Sequence, residues 1–184
     1  MASSTRSVLD KVYLVYFLIH IPILFCVDLV PLYPRTLWLP KDAPLHFLSQ
    51  LREYYIENYN DQFFLPPPAE IPSFFPLYAF LELIFHLPVS IWAVRTLWGR
   101  GPTGLSGSAE ILFLVYGVET ALTTATCMYD AALWDSAIVT VSQKIVIVAG
   151  LYGSYFALAM LLTVDMYARL LKRVNAADAA KKTQ

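Results

Sequence analysis

The stretch VYLVYFLIHIPILFCVDLVPLY (Val12–Tyr33) decides the fold of this chain, because it is long and apolar and yet contains an acid, Asp28. About 20 apolar residues, rising 1.5 Å each along a helix, cross the hydrocarbon of a bilayer. A second run, FFPLYAFLELIFHLPVSIWAV (Phe74–Val94), repeats the pattern around Glu82. A charged acid at the centre of a membrane helix costs about 2.5–3.5 kcal/mol even on lenient scales, so such residues face a protein interior. The sequence therefore predicts a membrane protein with a small acidic pocket.

The composition also indicates a membrane protein. Of the 184 residues, 58% are hydrophobic and 15% are charged, and the mean hydropathy is +0.55; a soluble domain has roughly 45–50% apolar and about 25% charged residues. The net charge of −1 gives no indication of nucleic-acid binding, and no nucleic-acid partner is expected. Cys26 and Cys127 both lie in apolar runs and are interpreted as small core residues. Because the histidines are scattered, no metal and no cofactor is predicted.

Four segments are long and apolar enough to span a bilayer. The first could be confused with a signal peptide, but it is too long, contains Pro22 and Asp28, and lacks a cleavage pattern. We therefore predict one all-α domain over residues 1–184, a four-transmembrane-helix bundle with a basic tail at residues 168–184. The predicted spans are about residues 12–33, 74–98, 109–128 and 145–167.

The distribution of basic residues predicts the orientation. Nine of the thirteen lysines and arginines fall on one side of the membrane, and the positive-inside bias makes that side, with both termini, cytosolic. The nine are Arg6, Lys11, Arg95, Arg100, Arg169, Lys172, Arg173, Lys181 and Lys182, and the other four are Arg35, Lys41, Arg52 and Lys144.

The segment from Pro34 to Ser73 is then lumenal. Its middle is predicted to form an amphipathic helix over the mouth of the bundle, ended by the prolines at 66–68. The residues that recur at helical spacing in this segment are Phe47, Leu51, Tyr54 and Tyr55. On the other side, the turn Gly99–Ser108 precedes the third span, which Ser106 or Ser108 is expected to cap.

Polar residues follow one face of each predicted span. Lipid does not satisfy such groups, so these faces are expected to meet inside the bundle. The four sets are His20 with Asp28; Tyr78, Glu82 and His86; Tyr116, Thr120, Thr123 and Cys127 with Glu119 at the edge; and Tyr152 with Tyr155.

Asp28 and Glu82 are predicted to meet in the lumenal half of the bundle. Pro22 and Pro88 each remove a helical hydrogen bond, which kinks the helices and opens a cavity there. Two carboxyls in one dry site do not both ionise readily, so we expect a shared proton and about one net negative charge. Such a pocket suits an amphiphile with one amine or hydroxyl. The alternative is that Asp28 bonds a neighbouring tyrosine or backbone group and only fixes helix packing.

Three further polar residues are open to two interpretations each. Glu119 is either a third pocket acid or a partner of the other two. His20 and His86 are either ligand contacts or satisfied core histidines. Asp165 is interpreted as an interfacial charge beside Arg169, and Glu110 as an acid in the first turn of the third span.

Two short segments carry a family resemblance. YFLIHIPILFCVDL (Tyr16–Leu29) and FLELIFHLP (Phe80–Pro88) resemble the EXPERA-domain membrane family, in particular its sigma-2-receptor-like branch. That family also includes a sterol delta8-delta7 isomerase and a fungal protein named for efficient targeting to mitochondria. The resemblance implies a four-helix membrane protein of the endoplasmic reticulum that binds sterols and cationic amphiphilic small molecules and forms a homodimer.

The resemblance also implies roles for particular residues. Asp28 matches the family acid that pairs with a ligand amine, and Glu82 matches the acid that hydrogen-bonds to it. Three positions depart from the receptor pattern: His86 replaces a glutamine, Glu119 a histidine, and Ser154 a proline. Matching pocket or lumenal positions are Tyr116, Thr123, Tyr152, Tyr155, Tyr55 and Asp61.

Three functions follow as hypotheses. The first is a membrane protein that binds sterols or lipids. The second is a sterol isomerase, because Asp28, Glu82 and Glu119 together offer an acid and a base. The third is a factor that helps precursor proteins reach mitochondria from the reticulum surface, which rests on the resemblance alone. Lys181 and Lys182 resemble a dilysine retrieval signal of the endoplasmic reticulum.

Overall fold

Helices account for the regular structure of this chain. The computed structural model describes residues 8–66, 70–98 and 104–182, and no strand occurs in these ranges. Four of the described helices are long and apolar enough to cross a membrane: Val8–Asp28, Phe75–Trp98, Gly107–Leu133 and Val141–Lys182. The predicted all-α fold with four spans is confirmed. Some residues used in the predictions lie outside the described ranges, namely Arg6, Arg100, Pro67, Pro68 and the first part of the turn before the third span, 99–103.

Seven α-helices occur in the described ranges. They are α1 (Val8–Ile23), α2 (Phe47–Tyr59), α3 (Phe75–Leu81), α4 (Leu87–Trp98), α5 (Gly107–Leu133), α6 (Val141–Ile145) and α7 (Gly153–Lys182). Three wide π-helical turns adjoin them, Leu24–Asp28, Glu82–His86 and Val146–Tyr152, and the short 3₁₀ turns are Val30–Leu32, Arg35–Leu37 and Gln62–Phe64.

The described residues group into two compact units. The N-terminal unit contains residues 8–66, 70–98 and 136–143, and the C-terminal unit contains residues 104–135 and 144–182. In the N-terminal unit α1 packs against α4. In the C-terminal unit α5 packs along α7.

The core of the N-terminal unit follows helical spacing on both helices. Tyr13 and Phe17 of α1 are 0–1% exposed, as are Ala93 and Leu97 of α4. Residues four apart lie on one helical face, so each helix buries a single stripe. The outer faces remain apolar: Ile19, for example, is 56% exposed. An apolar outer face is what a lipid-facing helix requires.

The C-terminal unit depends on a close approach between helices. Gly117 of α5 is buried, and a Cβ atom built on it would lie 2.6 Å from Thr163 Oγ1 and 3.1 Å from the Ala159 carbonyl oxygen of α7. Small residues allow such close backbone packing in membranes. Nearer the start of α5, Glu110 is 3% exposed and accepts two bonds from the Arg173 guanidinium, Nε to Oε2 at 2.6 Å and Nη2 to Oε1 at 3.0 Å.

Both prolines named above adjoin a wide turn. One wide turn begins two residues after Pro22, and the other ends two residues before Pro88. In the first turn the Leu29 amide donates to the Leu24 carbonyl at 2.9 Å, a bond that spans five residues and not four. Proline lacks an N–H and its ring crowds the preceding turn, so the helical bonding register changes beside it.

Three spans differ in their bounds from the apolar runs that predicted them, and the third helix is Gly107–Leu133 instead of 109–128. The first helix ends at Asp28, and Val30–Leu32 forms a 3₁₀ turn that contains Pro31. The last helix continues beyond Tyr167 to Lys182. Its final residues are alanines and charged side chains, which favour a helix without being apolar.

The helix predicted between the first two spans is present as α2. Its Leu48 and Ser49 are buried, whereas Phe47 and Tyr54 are 53% and 61% exposed. Asn60 ends the helix with a positive φ of 55°, and its side-chain amide donates to the Ile138 carbonyl at 2.8 Å. A small cluster supports the start of the helix; it consists of Val30, Trp38 and Leu48, with Cys26, Tyr33 and Leu45 against them.

Candidate functional site

The two acids inside the apolar spans touch each other. Asp28 is the last residue of the first wide turn, Glu82 is the first residue of the second, and their side chains share a hydrogen bond. Both are half-buried. Ionised carboxylates only accept hydrogen bonds, so a carboxyl–carboxyl bond requires one proton on one of the two groups. The contact agrees with the predicted shared proton, and the single negative charge of the pair stays a prediction.

Two histidines lie side by side on the same pair of helices. His20 and His86 are each 3% exposed, and their ring centroids are 5.9 Å apart. Tyr16 stacks on His20 with a centroid distance of 5.3 Å and an interplanar angle of 12°. His20 precedes Asp28 by eight residues, roughly 12 Å along a helix. These ring contacts form an aromatic layer between α1 and the turn that contains Glu82.

Tyr55 of α2 is held by a buried acid. Its hydroxyl donates to Asp61 Oδ2 at 3.0 Å, while Asp61 Oδ1 accepts from the Phe63 amide at 3.0 Å. Asp61 is 0% exposed and caps the 3₁₀ turn that follows it. Burial, and then the neighbouring charges of Asp61 and Asp28, raise the pKa of Tyr55 above its ordinary value of 10.0. Tyr55 therefore remains a neutral hydrogen-bond donor beside the acid pair.

The other candidate pocket residues belong to the C-terminal unit. Tyr116 is 1% exposed, and Thr123 donates to the Glu119 carbonyl at 3.0 Å within α5. Threonine hydroxyls bonded to their own helix are satisfied without a ligand. Tyr152 and Tyr155 are half-buried. A common ligand for these residues and the acid pair stays a prediction.

The remaining predictions concern single residues. Ser106 caps α5 by accepting from the Ala109 amide at 3.2 Å, which confirms one of the two predicted caps. Asp165 pairs with Arg169 at 2.7 Å, as expected. Lys181 and Lys182 are exposed in the last turn of α7. Within the described ranges, no cluster of three histidine, cysteine or acidic side chains is placed to hold a metal ion.

Sequence reasoning missed two features near the acids. The wide turns were not predicted, although Pro22 and Pro88 marked where helical bonding would change. Arg52 was counted only as a lumenal charge, yet it is half-buried, donates to the Phe64 carbonyl and lies 5.8 Å from the Phe64 ring centroid. The apolar stripe predicted for α2 is not its covered face, because Phe47, Leu51 and Tyr54 are 53%, 39% and 61% exposed.

Comparison with known proteins gives consistent matches. The family model described as EXPERA (EXPanded EBP superfamily) matches residues 47–166, more than half of the chain. Efficient mitochondria targeting-associated protein 19 of Schizosaccharomyces pombe is 30% identical over 174 residues, which cover 95% of this chain and 83% of that protein. Its Saccharomyces cerevisiae counterpart is 25% identical over 65% of this chain and 69% of that protein.

A human protein is similar over a shorter region. Sigma intracellular receptor 2 of Homo sapiens is 36% identical over 87 residues, which cover 47% of this chain and 44% of the receptor. The family match, the long fungal match and the four apolar helices agree with one another. This chain is therefore a member of the EXPERA family, the expanded EBP superfamily of membrane proteins.

Proposed function

We propose that this EXPERA-family protein resides in the membrane of the endoplasmic reticulum and binds a sterol, another membrane lipid or a cationic amphiphile at its acid pair. The observation that carries the proposal is the hydrogen bond between Asp28 and Glu82. Each acid lies at the end of a wide turn on an apolar span, where a carboxyl group without a function would be costly. Wide turns of this kind are frequent at functional sites.

The chemistry of the pair selects the ligand class. One negative charge in apolar surroundings attracts one ammonium group, and the proton on the second carboxyl lets it donate to an oxygen or to its partner. The apolar residues that flank both acids in their spans suit a sterol or an acyl chain. The human relative's name, an intracellular receptor, supports both a ligand and a location inside the cell.

The test is ligand binding to two conservative variants. A simple probe is N,N-dimethyldodecylamine, with dodecanol as its uncharged counterpart, titrated by calorimetry into purified protein. Asp28→Asn should weaken amine binding by about 2–5 kcal/mol, the usual loss when one partner of a desolvated charge pair is removed. Glu82→Gln should weaken it less, because an amide still donates to Asp28.

A surface acid supplies the control. Asp42 is exposed in the segment between the first two spans, so Asp42→Asn removes the same charge away from the pair. Equal amine affinity in Asp28→Asn, Asp42→Asn and the parent protein would refute the proposed site. If Glu82→Gln had the larger effect, the two acids would have to exchange roles.

The long fungal match supports a second candidate. Two relatives bear the name efficient mitochondria targeting-associated protein, and one of them matches 95% of this chain. Under this proposal the protein assists delivery of precursor proteins to mitochondria, from the reticulum membrane. The test of this role is the rate at which mitochondria import a labelled precursor in cells that lack the protein. Re-expression of the protein in those cells is the control. Unchanged kinetics would exclude this role and leave the ligand-binding proposal intact.

A further inference from the structure

A recess lies beside α2 in the N-terminal unit. It is an open groove of about 110 Å³ between this helix and the end of the first span. Its walls are mainly apolar, and Arg52 is the one charged residue among those that line it. The groove is lined by Cys26, Val27, Val30, Leu51, Arg52, Tyr54, Tyr55 and Phe64.

Arg52 has no acidic partner in the part of the chain that the structure describes. Its guanidinium donates to the Phe64 carbonyl and lies over the Phe64 ring. Burial alone lowers the pKa of Arg52, and no neighbouring charge contributes. A guanidinium nevertheless stays protonated in proteins, so the groove wall carries an uncompensated positive charge. A carbonyl oxygen occupies only part of its five N–H donors, which leaves others for an anion.

The acids of the N-terminal unit described above have hydrogen-bond partners other than Arg52. Asp28 bonds to Glu82, and Asp61 accepts from Tyr55 and from the Phe63 amide. None of these three acids lines the groove. An anion beside Arg52 would therefore not have to displace a carboxylate.

The position of the groove along the first span indicates what can reach it. Cys26 and Val27 lie within two residues of the end of that span, and Val30 lies just beyond it. The end of a membrane helix lies near the interface, at the depth of lipid headgroups. Leu51 and Tyr54 on α2 are 39% and 61% exposed beside the same opening, so an acyl chain meets apolar side chains on entry. Bilayer lipid is thus the most concentrated amphiphile at this opening.

We propose that the Arg52 groove is a binding site for an anionic phospholipid. The phosphate pairs with the guanidinium through charge-assisted hydrogen bonds, and the first part of one acyl chain lies against the apolar wall. A planar guanidinium matches a phosphate with two parallel bonds, which an ammonium group does not. This site does not depend on the acid pair or on the function proposed for it.

Cys26 can report on occupancy, because it is one of the residues that line the groove. In a Cys127→Ala background it is the single cysteine of the chain. We would place this protein in phosphatidylcholine nanodiscs with rising fractions of phosphatidate and measure the alkylation rate with N-ethylmaleimide. Phosphatidate should slow alkylation of Cys26 by roughly fivefold or more, since one basic residue near an anionic lipid surface contributes about 1 kcal/mol.

Two arginine variants separate specific binding from surface charge. In Arg52→Gln, phosphatidate should no longer slow the alkylation of Cys26. In Arg52→Lys it should slow alkylation only in part, because an ammonium group does not form two parallel bonds to a phosphate. Arg35→Gln is the matched control, since Arg35 is exposed in the same segment and does not line the groove. An anionic surface lowers thiolate reactivity in every variant, so the quantity compared is the rate ratio with and without phosphatidate.

Each outcome decides the proposal. Equal protection in Arg52→Gln and Arg35→Gln would show a surface effect only and overturn it. Protection by oleate but not by phosphatidate would assign the groove to free fatty acids and also overturn it. If Arg52→Gln loses helicity by circular dichroism, Arg52→Lys is used for the test instead. Full protection of Cys26 in Arg52→Lys would contradict the proposed pair of parallel bonds between the guanidinium and the phosphate.

Discussion

Gly117→Ala is the sharpest test of how α5 and α7 pack. The new methyl carbon would lie 2.6 Å from Thr163 Oγ1, 3.1 Å from the Ala159 carbonyl oxygen and 3.1 Å from the Thr163 amide nitrogen. The hydroxyl is itself tied, because it donates to the Ala159 carbonyl at 2.8 Å. Two of the three neighbours are backbone atoms, so a rotamer change alone does not relieve the contact. The helices must separate, or their bonds must distort.

The size of the effect follows from the balance of two terms. Overpacking of a close-packed site costs about 1–3 kcal/mol. Replacing glycine by alanine inside a helix stabilises the folded state by about 1 kcal/mol, because alanine has the higher helix propensity. The net loss should be about 0–2 kcal/mol, and Thr163→Ala in the same chain should recover part of it by removing the nearest contact. The backbone contacts remain in that double variant.

The assay is reversible unfolding in detergent, followed by circular dichroism. Gly150→Ala is the matched control, since a Cβ there has no atom within 4 Å. This control should be neutral or more stable than the parent. The informative quantity is the difference between the two alanine variants, which we expect to be about 1–3 kcal/mol. Equal stability of Gly117→Ala and Gly150→Ala would refute the close approach of α5 and α7.

Three other predictions concern an ion pair, a buried tyrosine and the acid pair. Glu110→Gln should lower the melting temperature in detergent, because it removes the carboxylate that the Arg173 guanidinium contacts twice; an unchanged transition would contradict that role. Because the pKa of Tyr55 is raised, the folded state keeps this proton above pH 10 while the unfolded state releases it. The free energy of unfolding should therefore fall as the pH rises from about 10, and it should fall less steeply in Tyr55→Phe. Parallel pH profiles of the two proteins in a denaturant series would contradict this prediction. Purified protein should not convert a delta8 sterol to its delta7 isomer, since Asp28 and Glu82 act as one unit; turnover that disappears in Glu119→Gln would instead establish an enzyme.

The parts of the fold predicted from sequence follow from the membrane. Apolar length determines a span directly, and the cost of a carboxyl in hydrocarbon forced Asp28 and Glu82 toward each other. The same reasoning did not give the ends of the helices. Asp28 ends its helix because proline-rich sequence follows, and α7 continues because its alanine-rich end favours a helix outside the lipid.

The less predictable features depend on contacts between distant segments. Glu110 was expected only as a first-turn acid, but Arg173 lies 63 residues away in sequence and no spacing rule links them. The covered face of α2 also differs from the predicted stripe of Phe47, Leu51, Tyr54 and Tyr55. Phe47 and Tyr54 are exposed while Ser49 is buried, a result decided by tertiary packing and not by polarity.

The extension of α7 carries its last residues well beyond the apolar run that predicted the fourth span. Roughly 22 Å of helix separates Tyr167 from Lys182, at 1.5 Å for each residue. Residues 171–182 are all exposed, so this part is a spacer that carries two lysines at its far end. Removing seven residues would draw the lysines in by roughly 10 Å while leaving them on nearly the same side of the helix. The length of this spacer thus determines how far Lys181 and Lys182 lie from the apolar part of the helix.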